Sequence, residues 1–580
     1  MTPRNADRGI SGITRQSPRP GGIPSQTTFA DAGTSDSVVY GAHWVTMLLI
    51  SVGAIAVVLA SLPYKSFELD RHFVPKEIAL HVTATLAAIT ALVHTTRLRI
   101  TRIDSLLITF LALSALSGLF APNWWNAGRT LGMSVSSVLL FWAASVAGRG
   151  RLRSPLFLGL TIAMVLGVAT ALAQAYGVVG DYASLSRAPG GTFGNRNFMA
   201  HLAVICTPIL IYLTVRAQRR AWIGLMAITA VSGALVLSRS RAAWLALLVG
   251  GVLCLPALWS LRAAARRTTE NRSVQSSERS EQTTGITRIV AVALAVAIGV
   301  AGALFIPNRL EWKSDSPYLD SVRSVVNYKE GSGRGRMIQY KRTALLTLRH
   351  PLLGVGTGNW AVVYPTVAPG DDPSLVSDGR TANPWPSSDW MAIVSERGIP
   401  AFLCFAITML GMLMGAVHRW HTADSVDERG AALVLGATVL ITLIVGSFDA
   451  VLSIAIPALF VWVIAGALIP RERSRREIAL PMPKRALAMV VVLIIGGTFA
   501  TRSVLQATAM SLFEEGSGAA MRRAVELDPG NYRIQLKLAA LAEQRGQCAR
   551  VKRYGQAAHA LFPDASQPVQ LLHACGINVQ

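Results

Sequence analysis

Apolar runs of about 20 residues, the length that crosses roughly 30 Å of hydrocarbon as a helix, alternate along most of this chain with short polar connections. The pattern predicts about thirteen membrane-spanning helices, near Ala42–Leu62, Lys76–Val93, Ser105–Phe120, Thr130–Val146, Ser154–Tyr176, Asn197–Val215, Ala221–Leu237, Arg241–Ser260, Ile289–Ile306, Met391–Val417, Ala431–Val445, Ala450–Ile469 and Ala486–Ala500. The expected fold is therefore all-α, a polytopic membrane protein with 12–13 spans. A polar, Pro- and Ser-rich head (1–37) precedes the first span, which reads as a retained anchor rather than a cleaved signal. Membrane helices then occupy 38–306 and 391–502, one long connection fills 307–390, and a small soluble helical tail runs from 503 to 580.

Composition agrees. Of the 580 residues only 15% are charged and 52% are hydrophobic, which excludes a disordered chain, a disulfide scaffold and most water-soluble enzymes. The net charge of +23 would suggest nucleic acid in a soluble protein. Here it follows the positive-inside rule instead. Alternate connections carry Arg97, Arg99 and Arg102; Arg149, Arg151 and Arg153; Arg216, Arg219 and Arg220; Arg262, Arg266 and Arg267; and Arg471, Arg473, Arg475 and Arg476. With these on the cytoplasmic side, the head is cytoplasmic, the long connection 307–390 and the tail are outside, and no nucleic-acid partner is expected. The basic, Ser-rich stretch from Arg262 to Thr287 reads as a solvated linker.

In the tail, Ala524-Val525-Glu526-Leu527-Asp528-Pro529-Gly530-Asn531, followed by Leu536, Leu538, Ala539 and Leu541 at helical spacing, resembles a tetratricopeptide helix pair, with a generic helical hairpin as the alternative. So short an array needs a neighbour, either the membrane domain or an envelope protein partner. Cys548 and Cys575 share the tail, where a disulfide is permitted; Cys206, Cys254 and Cys404 fall in spans and read as small apolar fillers. No cysteine or histidine spacing fits a structural metal, and neither a metal nor another cofactor is expected.

Arginines recur on the outer side, where topology predicts few. Arg187 and Arg196 flank a glycine-rich stretch with Gly191, Gly194, Asn195 and Asn197 that runs directly into a span, a candidate phosphate cradle at a helix start. Arg239 and Arg241 stand in the short connection entering the eighth span. Arg336 precedes an amphipathic pattern that ends in His350-Pro351 and a second glycine-rich turn. A guanidinium at the membrane edge is costly against lipid but suits phosphate oxygens in a wet cavity. His350 is the only histidine between 307 and 390 and so the default imidazole there.

The phrases GGTFGNRNF, SRSRAAW, GRMIQY…RHPLLGVGTGN and SSDWMAIVSERG, in this order and topology, resemble the O-antigen ligase and polymerase family of bacterial envelope glycosyltransferases, over about Ala42 to Ile469. The resemblance implies an inner-membrane enzyme that takes a glycan from undecaprenyl diphosphate at the periplasmic face. The acceptor is lipid A–core in lipopolysaccharide synthesis, a growing glycan, or protein. It further implies that Arg241 and Arg336 are diphosphate ligands; Arg187 and Arg239, read from the residues alone, are further candidates. One departure stands out. Where the family places a histidine as base, this chain has Ser387, so Asp389 and His350 become the nearest catalytic candidates beside Ser387 itself. A divergent or inactive relative, a bicarbonate-transporter-like protein, and a scaffold acting through its helical tail are the alternatives.

Overall fold

The computed structural model describes residues 30–64, 66–67, 69–148, 153–179, 187–217, 219–254, 278–312, 314–323, 331–376, 379–469 and 476–578. Most of the head, residues 255–277 with Arg262, Arg266 and Arg267, and Arg149, Arg151, Arg471, Arg473 and Arg475 lie outside them. Two compact units divide at Gly41, and everything below concerns the second, Ala42–Gln580. It is a helical membrane bundle: ten described helices are long and apolar enough to span, and three shorter apolar ones, His43–Leu59, Arg241–Cys254 and Ala455–Leu468, occupy the remaining expected positions.

In chain order the helices are α1 (Ala30–Leu59), α2 (Asp70–His94), α3 (Arg102–Leu119), α4 (Trp124–Ala147), α5 (Arg153–Ala175), α6 (Arg196–Arg216), α7 (Ala221–Ser238), α8 (Arg241–Cys254), α9 (Glu278–Phe305), α10 (Pro317–Arg323), α11 (Gly331–Arg349), α12 (Trp360–Val363), α13 (Asp389–Thr422), α14 (Val426–Val445), α15 (Ala455–Leu468) and α16 (Met482–Glu515), then α17 to α20 in the tail. Polar side chains set several starts: Thr101 and Asp104 form a capping box on α3, and Asn123 accepts the Trp125 and Asn126 amides of α4. Helix α15 is buried on every side, as its uninterrupted apolar sequence requires, and forms the centre of the bundle.

The connections sort onto two faces. On one, β1 (Arg97–Ile100) pairs antiparallel with β2 (Arg476–Ala479), a ribbon that helical periodicity alone did not predict. Arg153 and Arg419 both reach Glu428 there, and Arg216 reaches Asp427. The described basic connections thus share this face with the acidic start of α14. On the opposite face, Arg309 N–H donates to the Ala175 carbonyl at 2.8 Å, Arg239 bonds Ser321, and Arg336 bonds Phe448. The long connection therefore covers the α5–α6, α7–α8 and α14–α15 turns.

Helix α13 is broken inside. Gly398 has φ of 80° and approaches Leu352 so closely that a Cβ would lie 2.1 Å from its carbonyl oxygen. Into the gap fits the turn after α11: Val355 and Gly356 N–H donate to the Ser395 and Glu396 carbonyls at 2.9 and 3.1 Å, and Ile399 N–H donates to Pro351 at 2.8 Å. Irregular backbone is tolerated at membrane depth only when protein satisfies it, and here the plug satisfies the break. Its glycines 354, 356 and 358 all have positive φ. The glycine-rich phrase is thus a structural insert.

The tail helices α17 (Gly518–Leu527), α18 (Tyr532–Glu543), α19 (Cys548–Leu561) and α20 (Ser566–Ala574) dock on the face that carries the long connection. Phe67 and Val74 of the membrane part share one apolar cluster with Met510, Met521, Ala524 and Ile534. Asn123 Nδ2 donates to the Leu561 carbonyl at 3.2 Å, and Arg533 to the Ser66 carbonyl at 2.8 Å. Cys548 and Cys575 are joined by a disulfide that ties α19 to the end of α20. The required neighbour is the membrane domain of the same chain.

Candidate active site

A cavity of about 680 Å³ opens on that face between α6, α8, α11 and the α14–α15 turn. Its walls bring together Arg187, Arg196, Arg239, Arg241 and Arg336 from three separate stretches of chain, with Asp449 the one carboxylate among its lining residues. Fixed guanidiniums in such excess make a strong positive field in a concave, partly desolvated site.

Three of these arginines, Arg336, Arg239 and Arg196, are held in place. Arg336 Nε donates to the Phe448 carbonyl at 3.1 Å. Arg239 donates from Nε to Ser321 Oγ at 2.8 Å and stacks 4.6 Å from the Trp312 ring centre, against which Arg196 also lies at 5.1 Å. Among the described residues Arg239 is the non-glycine residue with positive φ, 53°, a strained backbone that turns α7 sharply into α8. Burial draws the Arg239 guanidinium down from its ordinary range while Tyr318 and Asp320 act the other way. It remains a cation.

The glycine-rich stretch before α6 divides in two. Asn195 and Asn197 line the cavity, and Asn195 caps α6 by accepting the Asn197 N–H at 3.0 Å. Gly191 and Gly194 sit behind: the Gly190 and Gly191 amides both donate to Gln174 Oε1 at 2.8 Å, and a Cβ on Gly194 would lie 2.2 Å from the His72 ring. The Gly190 and Gly191 amides are therefore spent inside the protein, and these glycines serve close packing.

Of the three catalytic candidates only Ser387 lines the cavity, its N–H donating to Gln339 Oε1 at 3.1 Å and its carbonyl accepting from Tyr340 Oη at 2.9 Å. Asp389 is fully buried. Its carboxylate accepts the Val451 and Leu452 amides at 2.8 and 2.9 Å and the Ser453 hydroxyl at 3.0 Å, and so clamps the chain entering α15. His350 is exposed at the end of α11 on the plug and does not line the cavity.

Two lining residues are not singled out by the sequence. Asp449 accepts the Ala450 amide on Oδ1 at 2.9 Å and the Asn197 side-chain amide on Oδ2 at 3.4 Å, the latter too long to be strong. His201, buried in α6, has neither ring nitrogen hydrogen-bonded among the described residues, with Asp449 and Arg336 as its charged neighbours. An acidic residue between two apolar runs was the available signal for Asp449; His201 is one polar residue in an apolar helix.

No curated protein matches the chain. Residues 225–406 match the family model described as O-antigen ligase. The match takes in Arg239, Arg241, Arg336 and Ser387, and leaves Arg187, Asn195, Asn197, His201 and Asp449 outside. Its many apolar helices make the protein a multi-pass membrane protein, and residues 225–406 of it are similar to the O-antigen ligase family.

Proposed function

We propose that the protein moves a glycan from an undecaprenyl-diphosphate carrier to an acceptor hydroxyl at the periplasmic face of the bacterial inner membrane. The observation that carries this reading is the convergence of five arginines from three stretches of chain in one cavity. Arg241 and Arg336 grip the diphosphate, with Arg187 and Arg239 beside them. In the transfer, the acceptor oxygen bonds to the anomeric carbon as the bond from that carbon to the diphosphate oxygen breaks. The electron pair leaves with the carrier diphosphate, whose growing charge meets the guanidiniums; one such donor is commonly worth about 10²–10³ in rate.

The hydroxyl proton passes to Asp449. Its carboxylate faces the cavity with Oδ2 weakly held, while Asp389 is saturated with structural bonds and His350 lies elsewhere. His201 stands behind Asp449 as a further proton acceptor. Ser387, unable to act as a base alone near neutrality, contributes a hydroxyl to position the acceptor. The acceptor is lipid A–core, a growing glycan or protein. Replacing Arg241 by Ala at normal expression tests the reading: surface-polysaccharide attachment is lost, and intact attachment would remove the proposed role.

A further inference from the structure

Beside the arginine cavity lies another of about 190 Å³, formed where the tail meets the membrane helices and the long connection. Ala382 lines both, so the stretch from Thr381 to Trp385 is the ridge between them. We infer that this cleft is a saccharide subsite that takes a neutral sugar ring of the glycan handled next door. The inference rests on the glycan-transfer reading for its context and on the cleft's own chemistry for its ligand.

Among the polar and charged side chains of its walls stand four aromatic rings: Trp125 from α4, Trp385 from the ridge, Tyr532 and Phe562 from the tail. A sugar ring presents flat C–H faces and a rim of hydroxyls, so it needs apolar surface together with a few donors and acceptors. The volume is below the about 300–1,000 Å³ of sites for drug-sized ligands, which suits one ring rather than a chain.

Charge assignments select against an anion. Arg129 is paired with Asp70 at 3.0 Å and with Glu77 at 2.8 Å, and Arg533 donates to the Ser66 carbonyl. Arg502 donates to the Trp125 carbonyl, and Arg380 stacks 4.3 Å from the Tyr532 ring centre. The cleft also sets two lining carboxylates, Asp70 and Asp528, against its four arginines, where the arginine cavity sets one against five. Asp528 is likewise engaged, accepting the Asn531 side-chain amide at 3.0 Å with Arg502 as a charged neighbour. The neutral groups left for a ligand are the side-chain amides of Asn126 and Gln506, which line the space half-buried and among the described residues make no hydrogen bond. An amide offers both a donor and an acceptor, as a hydroxyl rim demands.

Tail, ridge and α4 all contribute, so the subsite exists only with the tail docked. A glycan whose first ring lies at the arginines could cross the ridge at Ala382 and seat a later ring here; an acceptor glycan could approach by the same cleft from the other end. Both sources share one chemistry.

The test uses the full chain in detergent, and as probe the free glycan released by mild acid from the cells' own polyprenyl-diphosphate pool. Calorimetric titration should give saturable binding to the wild type, and an affinity at least tenfold weaker for Asn126→Ala/Gln506→Ala. Gln506→Trp, which fills the cleft, should weaken it equally. In transfer assays the double variant should raise KM about tenfold for donors carrying several sugars, with kcat and the single-sugar donor unaffected. A rise confined to the acceptor's KM would assign the ring to the acceptor instead. Equal affinity and equal KM in wild type and both cleft variants would overturn the subsite. If the wild type binds the glycan but transfers nothing, the transfer reading fails while the subsite stands.

Discussion

Arg336 Nε and the Phe448 carbonyl lie 3.1 Å apart, which joins the long connection to the α14–α15 turn directly beside Asp449. The bond holds a cationic fork at the residue before Asp449, the one carboxylate among the cavity's lining residues. It also makes Arg336 a positioned group, whose charge would cost no reorganisation in the proposed transfer.

Replacing Arg336 by Ala should lower transfer about 10²–10³-fold, with the melting temperature of the detergent-solubilised protein changed by little. Arg336→Lys should recover part of the rate, since it keeps the charge and loses the planar fork. A transfer rate equal to wild type in the Ala variant would remove Arg336 from the site.

Asp449→Asn should reduce kcat by about 10²–10⁴-fold, the usual contribution of a positioned general base. Asp449→Glu, which keeps the carboxylate, should recover part of that loss. Steady-state kcat of both variants decides this, and an Asp449→Asn rate equal to wild type would assign the base elsewhere.

Asp389 should behave differently. Its carboxylate satisfies backbone amides at Val451 and Leu452 in a fully buried setting. Asp389→Ala leaves them unpaired at about 1–3 kcal/mol each. The measurable result is a lowered melting temperature and reduced membrane yield, with the pH dependence of surviving activity unaltered.

The Cys548–Cys575 disulfide closes a separation of 27 residues. Chain entropy assigns about 3.5 kcal/mol to a loop of that size. Cys548→Ser/Cys575→Ser should therefore expose the tail to limited proteolysis while the membrane helices stay protected. Equal protease half-lives of the two tails would show that docking alone holds it.

Sidedness is open to direct measurement. Ala382 is exposed on the ridge, and the Ala382→Cys variant should react there with a membrane-impermeant maleimide in intact spheroplasts. Labelling only after lysis would place the ridge, and the arginine cavity with it, in the cytosol.

The helices were legible because each span repeats one requirement, about 20 apolar residues in a row, and all thirteen expected positions hold an apolar helix. The break in α13 was not legible, since Gly398 and Pro400 resemble ordinary membrane-helix residues until the plug from 350–360 is seen to satisfy the freed backbone. The ribbon between β1 and β2 was hidden for a related reason: each strand is 4 residues long and exists only because its partner, from the far end of the membrane domain's sequence, lies beside it.

The same division runs through the site. Charges at the membrane edge announce themselves in one dimension, because a guanidinium there is expensive without a partner, and so Arg187, Arg239, Arg241 and Arg336 could be named from sequence. Which uncharged and acidic groups face them could not. Asp389 and Asp449 are both lone acids beside apolar runs, and only packing decides that Asp389 is consumed by three consecutive residues before α15 while Asp449 faces the cavity. Hydropathy is a property of each segment by itself and survives in the linear order; the facing of one side chain toward another is set by contacts between distant segments, and only the folded chain contains them.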